Sequence, residues 1–360
     1  MGSSPPLSPD AVHAAVLSRV DRKWRASGSL SVPAVPALLD VYMARFAALF
    51  EALGKGFTDP ELLDLRALVA TRLVDGFRES PHARFHLSWE PQAPPDHGVN
   101  YKVWLDTATV QEQYEHWAAT KTPPLFGVNA DGKVLDLAAR YLDPGTAPAL
   151  DLGAGTGRNT LPLARAGHPT HAVELTAAFV TTLRESAAAE ALPVTALEGD
   201  VVRGELDLPG DHFALIVCSE VTSHFRGVAD LRALFARVAS WLRPGGTFVV
   251  NCFVAADDHV LTELERQVSE VTWSSVFTRA ELADVCSGLP LVVISDEDAH
   301  DYERAHQPTW PPTGWFADWA RGFDLYNLKP ALPPVAMRWL TFRRSEPDTA
   351  PCAEVRAPVT

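Results

Sequence analysis

A-L-D-L-G-A-G-T-G-R-N, residues 149–159, is the stretch on which the reading of this chain turns. Its apolar start has the character of a short strand. Gly153, Gly155 and Gly157 then follow at alternate positions, where the absence of Cβ lets a backbone come close to a bound group. The order is G-x-G-x-G. A dinucleotide site uses G-x-G-x-x-G, with its third glycine serving helix packing and a pyrophosphate on the helix N-terminus.

Outward from this loop, strand and helix signals alternate. Strands are expected at about 147–151, 169–174, 193–198, 213–219 and 246–253, separated by segments of helical period such as A-D-L-R-A-L-F-A-R-V-A-S-W-L. L-P-L-V-V-I-S and V-A-M-R-W-L-T-F supply two more, on either side of a Trp- and Pro-rich stretch at 307–334. Such alternation predicts an α/β fold with a doubly wound, mostly parallel, seven-stranded sheet covered by helices on both faces.

Toward the N-terminus the period is helical from Ser8 to about His82, giving three helices, the last opened by T-D-P-E with Thr58 and Glu61 placed for a capping box. Between Ala83 and Asp106, F-H-L-S-W and V-N-Y-K-V-W-L alternate around P-Q-A-P-P-D-H-G and predict two strands or a flap. V-Q-E-Q-Y-E-H-W predicts one more helix before the second part of the chain begins near residue 130.

Composition removes several function classes. With 360 residues, 47% hydrophobic and 21% charged, the chain is an ordinary globular protein of about two domains. A net charge of -14 and a pI near 5.3 argue against nucleic acid, which needs clustered Lys and Arg. Cys218, Cys252, Cys286 and Cys352 form no C-x-x-C pair, and the histidines gather no supporting carboxylates or thiols, so no metal site is expected. No secretory leader or membrane-length apolar run is legible, which gives a cytoplasmic expectation with no membrane partner. A homodimer is compatible with this composition.

D-L-G-A-G-T-G resembles the first motif of class I methyltransferases that use S-adenosylmethionine (SAM), in the small-molecule branch. Four further segments agree in order: H-A-V-E-L-T, L-E-G-D-V-V, F-A-L-I-V-C-S-E-V and L-R-P-G-G-T-F-V-V-N. The G-R-N continuation is also similar to tellurite-resistance-type methyltransferases. The resemblance implies SAM with no metal. Gly153, Ala154, Gly155 and Gly157 would lie under its amino-acid part, and Asp151 would face its ammonium. Glu174 would accept the ribose hydroxyls and Asp200 the adenine amino group, with Asn159, Val201 and Ser219 on the same path. With the periods read above, the chain divides into a mainly helical N-terminal domain with an aromatic flap at 1–130 that would enclose the substrate, a SAM domain at 131–345 and a loose tail at 346–360.

The catalytic residues are less legible. No N-P-P-Y or D-P-P-Y follows the fourth strand, so methylation of DNA bases or of protein glutamine is unsupported. Instead C-S-E-V-T-S-H-F places Glu220 and His224 where an acceptor would lose a proton, with Tyr114 from the preceding helix as a third candidate. Tyr101, Trp104 and Trp117 suit a lid, where a ring near the sulfonium gains cation-π energy, and Trp315 suits the opposite wall. Two reactions remain open: methyl transfer to a small molecule of specialised metabolism, or cyclisation of SAM alone to azetidine-2-carboxylate with release of methylthioadenosine.

Overall fold

A computed structural model describes residues 8–21, 26–93, 99–122 and 124–346. The tail expected at 346–360 and most of the P-Q-A-P-P-D-H-G turn lie outside the described residues, apart from Glu346 and residues 91–93. The chain divides into two compact units, Met1–Thr109 and Val110–Thr360.

Unit 1 contains α1 (Pro9–Asp21), β1 (Gly28–Pro33), α2 (Leu39–Ala52), α3 (Asp59–Glu79), β2 (Arg84–Pro91) and β3 (Val99–Asp106). Thr58 and Glu61 make the capping box expected at the start of α3, so two of the orphan donors of that helix end are satisfied. β1, β2 and β3 form an antiparallel sheet, whose third member, β1, lies inside the stretch expected to be helical. The difference has a cause: G-S-L-S-V-P is short, and only its pairing with β2 gives it a strand's geometry. Phe46, Phe50, Leu65, Val69, Leu73, Phe85 and Leu87 form the core of this unit.

Unit 2 begins with α4 (Val110–Thr120) and α5 (Gly132–Ala138). The boundary therefore falls before α4 rather than near residue 130. Tyr114 of α4 packs edge-on against Phe179, His224 and Trp273, which draws the helix into the second unit. The wound sheet follows as β4 (Ala149–Leu152), α6 (Thr160–Arg165), β5 (Thr170–Glu174), α7 (Ala177–Ala189), β6 (Val194–Glu198), β7 (Phe213–Cys218), α8 (Val228–Trp241) and β8 (Leu242–Ala255). It ends with α9 (Glu263–Val271), β9 (Val276–Phe277), α10 (Arg279–Cys286), β10 (Leu291–Asp298), α11 (Ala299–His306), α12 (Phe316–Trp319) and β11 (Val335–Arg344).

Among the described residues the strand order is β10-β11-β8-β7-β4-β5-β6, the seven expected strands, and β9 adds an eighth beside β8. β9 is two residues long and too short to carry a periodic signal. β4 through β8 run parallel, and β11 is antiparallel to both β8 and β10. Every residue of β4 and β7 is buried, which is why neither alternates: β7 is apolar throughout and β4 is apolar apart from Asp151. α8 turns Leu231, Leu234, Phe235 and Val238 onto the sheet at helical spacing.

This order sets the position of the site. From β4 the chain moves outward through β5 to β6 and then crosses back to add β7 on the other side of β4. The carboxyl ends of β4 and β7 therefore lie at the point where the strand order reverses, the position at which open α/β sheets take their ligands.

Candidate active site

The loop after β4 holds Gly153, Gly155 and Gly157 at positive φ. At Gly153 φ is 72°, and an added Cβ would lie 2.2 Å from Val221 Cγ2 in the loop after β7. At Gly155 a Cβ would meet the Phe126 ring at 3.2 Å. Gly153 is therefore required twice over, by conformation and by close approach, and Gly155 by its positive φ with a tight ring contact beside it. Glu174, at the end of β5, ties this loop down: its carboxylate accepts from Gly155 N and Thr176 N, each at 2.8 Å.

Beside the loop lies a buried ionic network that no sequence motif announces. Arg158 donates to Asp131 at 2.5 Å and to Glu220 at 2.7 Å, and its side chain is only 9% exposed. Asp131 is fixed from several directions. It exchanges hydrogen bonds with Asn159 at 2.9 Å in both directions and accepts from Ser219 Oγ at 2.7 Å. Asn251 of β8 donates to Ser219 Oγ and accepts the Glu220 backbone N–H at 2.6 Å. Glu220 sits at φ 61°, a left-handed conformation rare for a residue with a side chain and concentrated at functional sites.

Asn159 and Ser219 thus serve Asp131 in this structure, a residue that sequence reasoning missed. A lone acid in A-D-G gives no period or motif to find it by. Asp151 lies 2% exposed and accepts from Thr160 Oγ1 at 2.6 Å. Burial pushes its carboxyl up to about 6, against the pull of Thr160 and Arg158. Burial likewise raises Glu174 and, against the nearby Arg158 charge, Glu220. It works against the charge on Arg158 too, but Asp131 and Glu220 hold that guanidinium above its ordinary value.

The third element is a cluster of rings. Tyr114 Oη and His224 Nε2 are 3.0 Å apart, and around Tyr114 stand Trp117, Phe126, Phe179 and Trp273 with centroids 5.4–6.0 Å away. Trp117 stacks on Trp273 at 5.4 Å. Trp273 has φ 57° and lies edge-on to His224 at 4.6 Å, so a second strained residue faces the same group. Burial raises the Tyr114 phenol, with Glu174 and Glu220 adding to it, and the His224 tautomer sets which of the two groups donates.

The remaining expected residues have the following surroundings. Asp200 Oδ1 accepts from Val202 N and Arg203 N in a local turn, Val201 is buried, and Ala154 lies buried in the glycine loop. Tyr101 and Trp104 belong to unit 1, where Tyr101 packs on Phe50 and Phe57 and Trp104 stacks on His86 at 4.9 Å. Trp315 is half exposed at the start of α12, while Trp319 donates to Trp273 O and Ser274 Oγ and so props the ring cluster. Asp298, His300 and Asp301 bring ligand atoms within 4.8 Å of one another, a grouping the scattered histidines had not suggested. Among the described residues no helix is long and apolar enough to cross a membrane.

The wound sheet, the reversed last strand and the glycine loop at the switch point make unit 2 a doubly wound α/β domain. Residues 149–246 match the family described as a methyltransferase domain. None of the curated proteins matches the chain by sequence.

Solved structures similar to it include the [4+2]-cyclase SpnF, at 17% identity over 66% of this chain and 95% of that one, with a TM-score of 0.46. Geranyl diphosphate C-methyltransferase from Streptomyces coelicolor is similar at 13% identity over 65% and 97%, TM-score 0.45. The YcgJ protein from Bacillus subtilis is similar at 16% identity over 59% and 98%, TM-score 0.43.

Proposed function

We propose that unit 2 binds SAM on the glycine loop and transfers its methyl group to a small-molecule acceptor. The observation that carries this reading is the pairing of a Cβ-free cradle with an excess of buried acid. Asp131 and Glu220 pair with Arg158, Asp151 interacts with both Arg158 and Glu174, and the carboxyls among these four that shift are all pushed up by burial. A ligand of net positive charge, with an ammonium and a sulfonium against one carboxylate, relieves that excess. A phosphate would aggravate it.

SAM supplies an activated methyl carbon. The residues here need only orient the partners, exclude water and move a proton. The Tyr114–His224 pair suits proton movement, since an acceptor proton can pass to Tyr114 Oη as the phenolic proton passes to His224 Nε2, leaving an imidazolium. Phe126, Trp117 and Trp273 add aromatic faces that a cation can rest against.

The closed ring cluster also supports a second reading, in which SAM is the sole substrate. Its own amine, after losing a proton, would close on Cγ to give azetidine-2-carboxylate and methylthioadenosine. Purified protein incubated with SAM alone separates the two. Intact SAM that yields S-adenosylhomocysteine once an acceptor is added supports transfer. Methylthioadenosine accumulating over many turnovers with azetidine-2-carboxylate as its co-product refutes transfer and establishes cyclisation.

A further inference from the structure

The ion pairs of Arg158 differ in a way that bears on how a ligand is read. Asp131 is 1% exposed and locked by Asn159 and Ser219 as well as by Arg158. Glu220 has a side chain 21% exposed, and its carboxylate faces the Nη2 arm of Arg158. Its backbone is anchored separately, through Glu220 N to Asn251 Oδ1, and lies in the left-handed region. The Asp131 arm is therefore the more firmly held of the two. The Glu220 arm can open without disturbing the loop that carries it.

We propose that Arg158 is the carboxylate-reading residue of the site and that it works by exchange: the α-carboxylate of an adenosyl amino acid replaces Glu220 on Nη2 while Asp131 keeps Nη1. This rests on the SAM reading above. It adds the residue that distinguishes a complete amino-acid tail from a decarboxylated one, and it gives Glu220 a second role. Once displaced, Glu220 is an unpaired carboxylate beside the ligand's ammonium, which it holds by charge. A guanidinium is suited to this trade because its planar fork presents separate donors to two carboxylates at once. The arrangement also keeps the charge of Arg158 compensated at every stage, which a buried cation requires.

The test is titration calorimetry with two probes that differ in one group: S-adenosylhomocysteine and its decarboxylated analogue, S-adenosyl-3-thiopropylamine. Wild-type protein is expected to prefer the former at least tenfold. Arg158→Met should bring the two affinities within about threefold of each other, mainly by weakening S-adenosylhomocysteine. Glu220→Gln should keep the preference or widen it, because the ligand carboxylate then has no anion to displace. Equal binding of both probes by wild type overturns the proposal, as does a preference that survives Arg158→Met or disappears in Glu220→Gln. Where Arg158→Met fails to fold, wild type and Glu220→Gln decide. Should wild type bind neither probe, the SAM reading falls and the exchange falls with it, whereas binding without carboxylate preference refutes the exchange alone.

Discussion

Replacing Asp151 by Asn should make the ligand-free protein more stable at neutral pH and a poorer binder. The Asp151 carboxyl is fully buried and rises from 3.8 to about 6, with burial as the main cause. A group whose folded pKa is raised binds its proton more tightly in the native state. Its contribution thus favours folding below about 4, is lost as pH climbs from 4 to 6, and stays lost above. The shift of about 2 units corresponds to roughly 3 kcal/mol at pH 8. Asn keeps an oxygen to accept from Thr160 Oγ1, now at 2.6 Å from Asp151, and carries no charge, so it avoids most of that penalty.

For a unit of this size roughly 3 kcal/mol corresponds to a rise on the order of 5–10 °C in Tm. Melting curves of wild type and Asp151→Asn between pH 4.5 and 8 should be close at the acid end and diverge as pH rises. S-adenosylhomocysteine affinity should fall in the variant at pH 8. A variant less stable than wild type at pH 8, or a Tm difference independent of pH, would refute the reasoning. A gain in stability with unchanged affinity would sever Asp151 from the ligand.

Other expectations follow from the same geometry. Tyr114→Phe removes the hydroxyl 3.0 Å from His224 and leaves the ring packing, so steady-state kinetics should show kcat down by about 10²-fold with KM for SAM nearly unchanged. A matched change in both would mean that Tyr114 only shapes the pocket. Gly153→Ala sets a methyl 2.2 Å from Val221 Cγ2 at φ 72° and should cost on the order of 1–3 kcal/mol in denaturant unfolding. Adding Val221→Ala should recover the steric part of that loss and not the conformational part, a split that a double-mutant cycle measures.

The sequence by itself determined the sheet: the apolar runs of β4 and β7, the order of β-α units and the capping box of α3 are local patterns, each carried by consecutive residues. It also determined the glycine loop and the carboxylate at the end of β5, because a positive φ or a strand-end acid leaves its mark in the letters themselves. The tertiary structure alone decided what those pieces face. Asp131, Arg158 and Glu220 are separated by 27 and 62 residues and belong to no shared period, so their meeting depends on where β7 joins β4. The same holds for Tyr114 against His224, 110 residues apart, and for Trp273, whose left-handed backbone follows from no local preference. Short β1 and β9 exist through their partners rather than their propensities. Charge and ring packing are long-range in sequence and short-range in space, and only the fold converts one into the other.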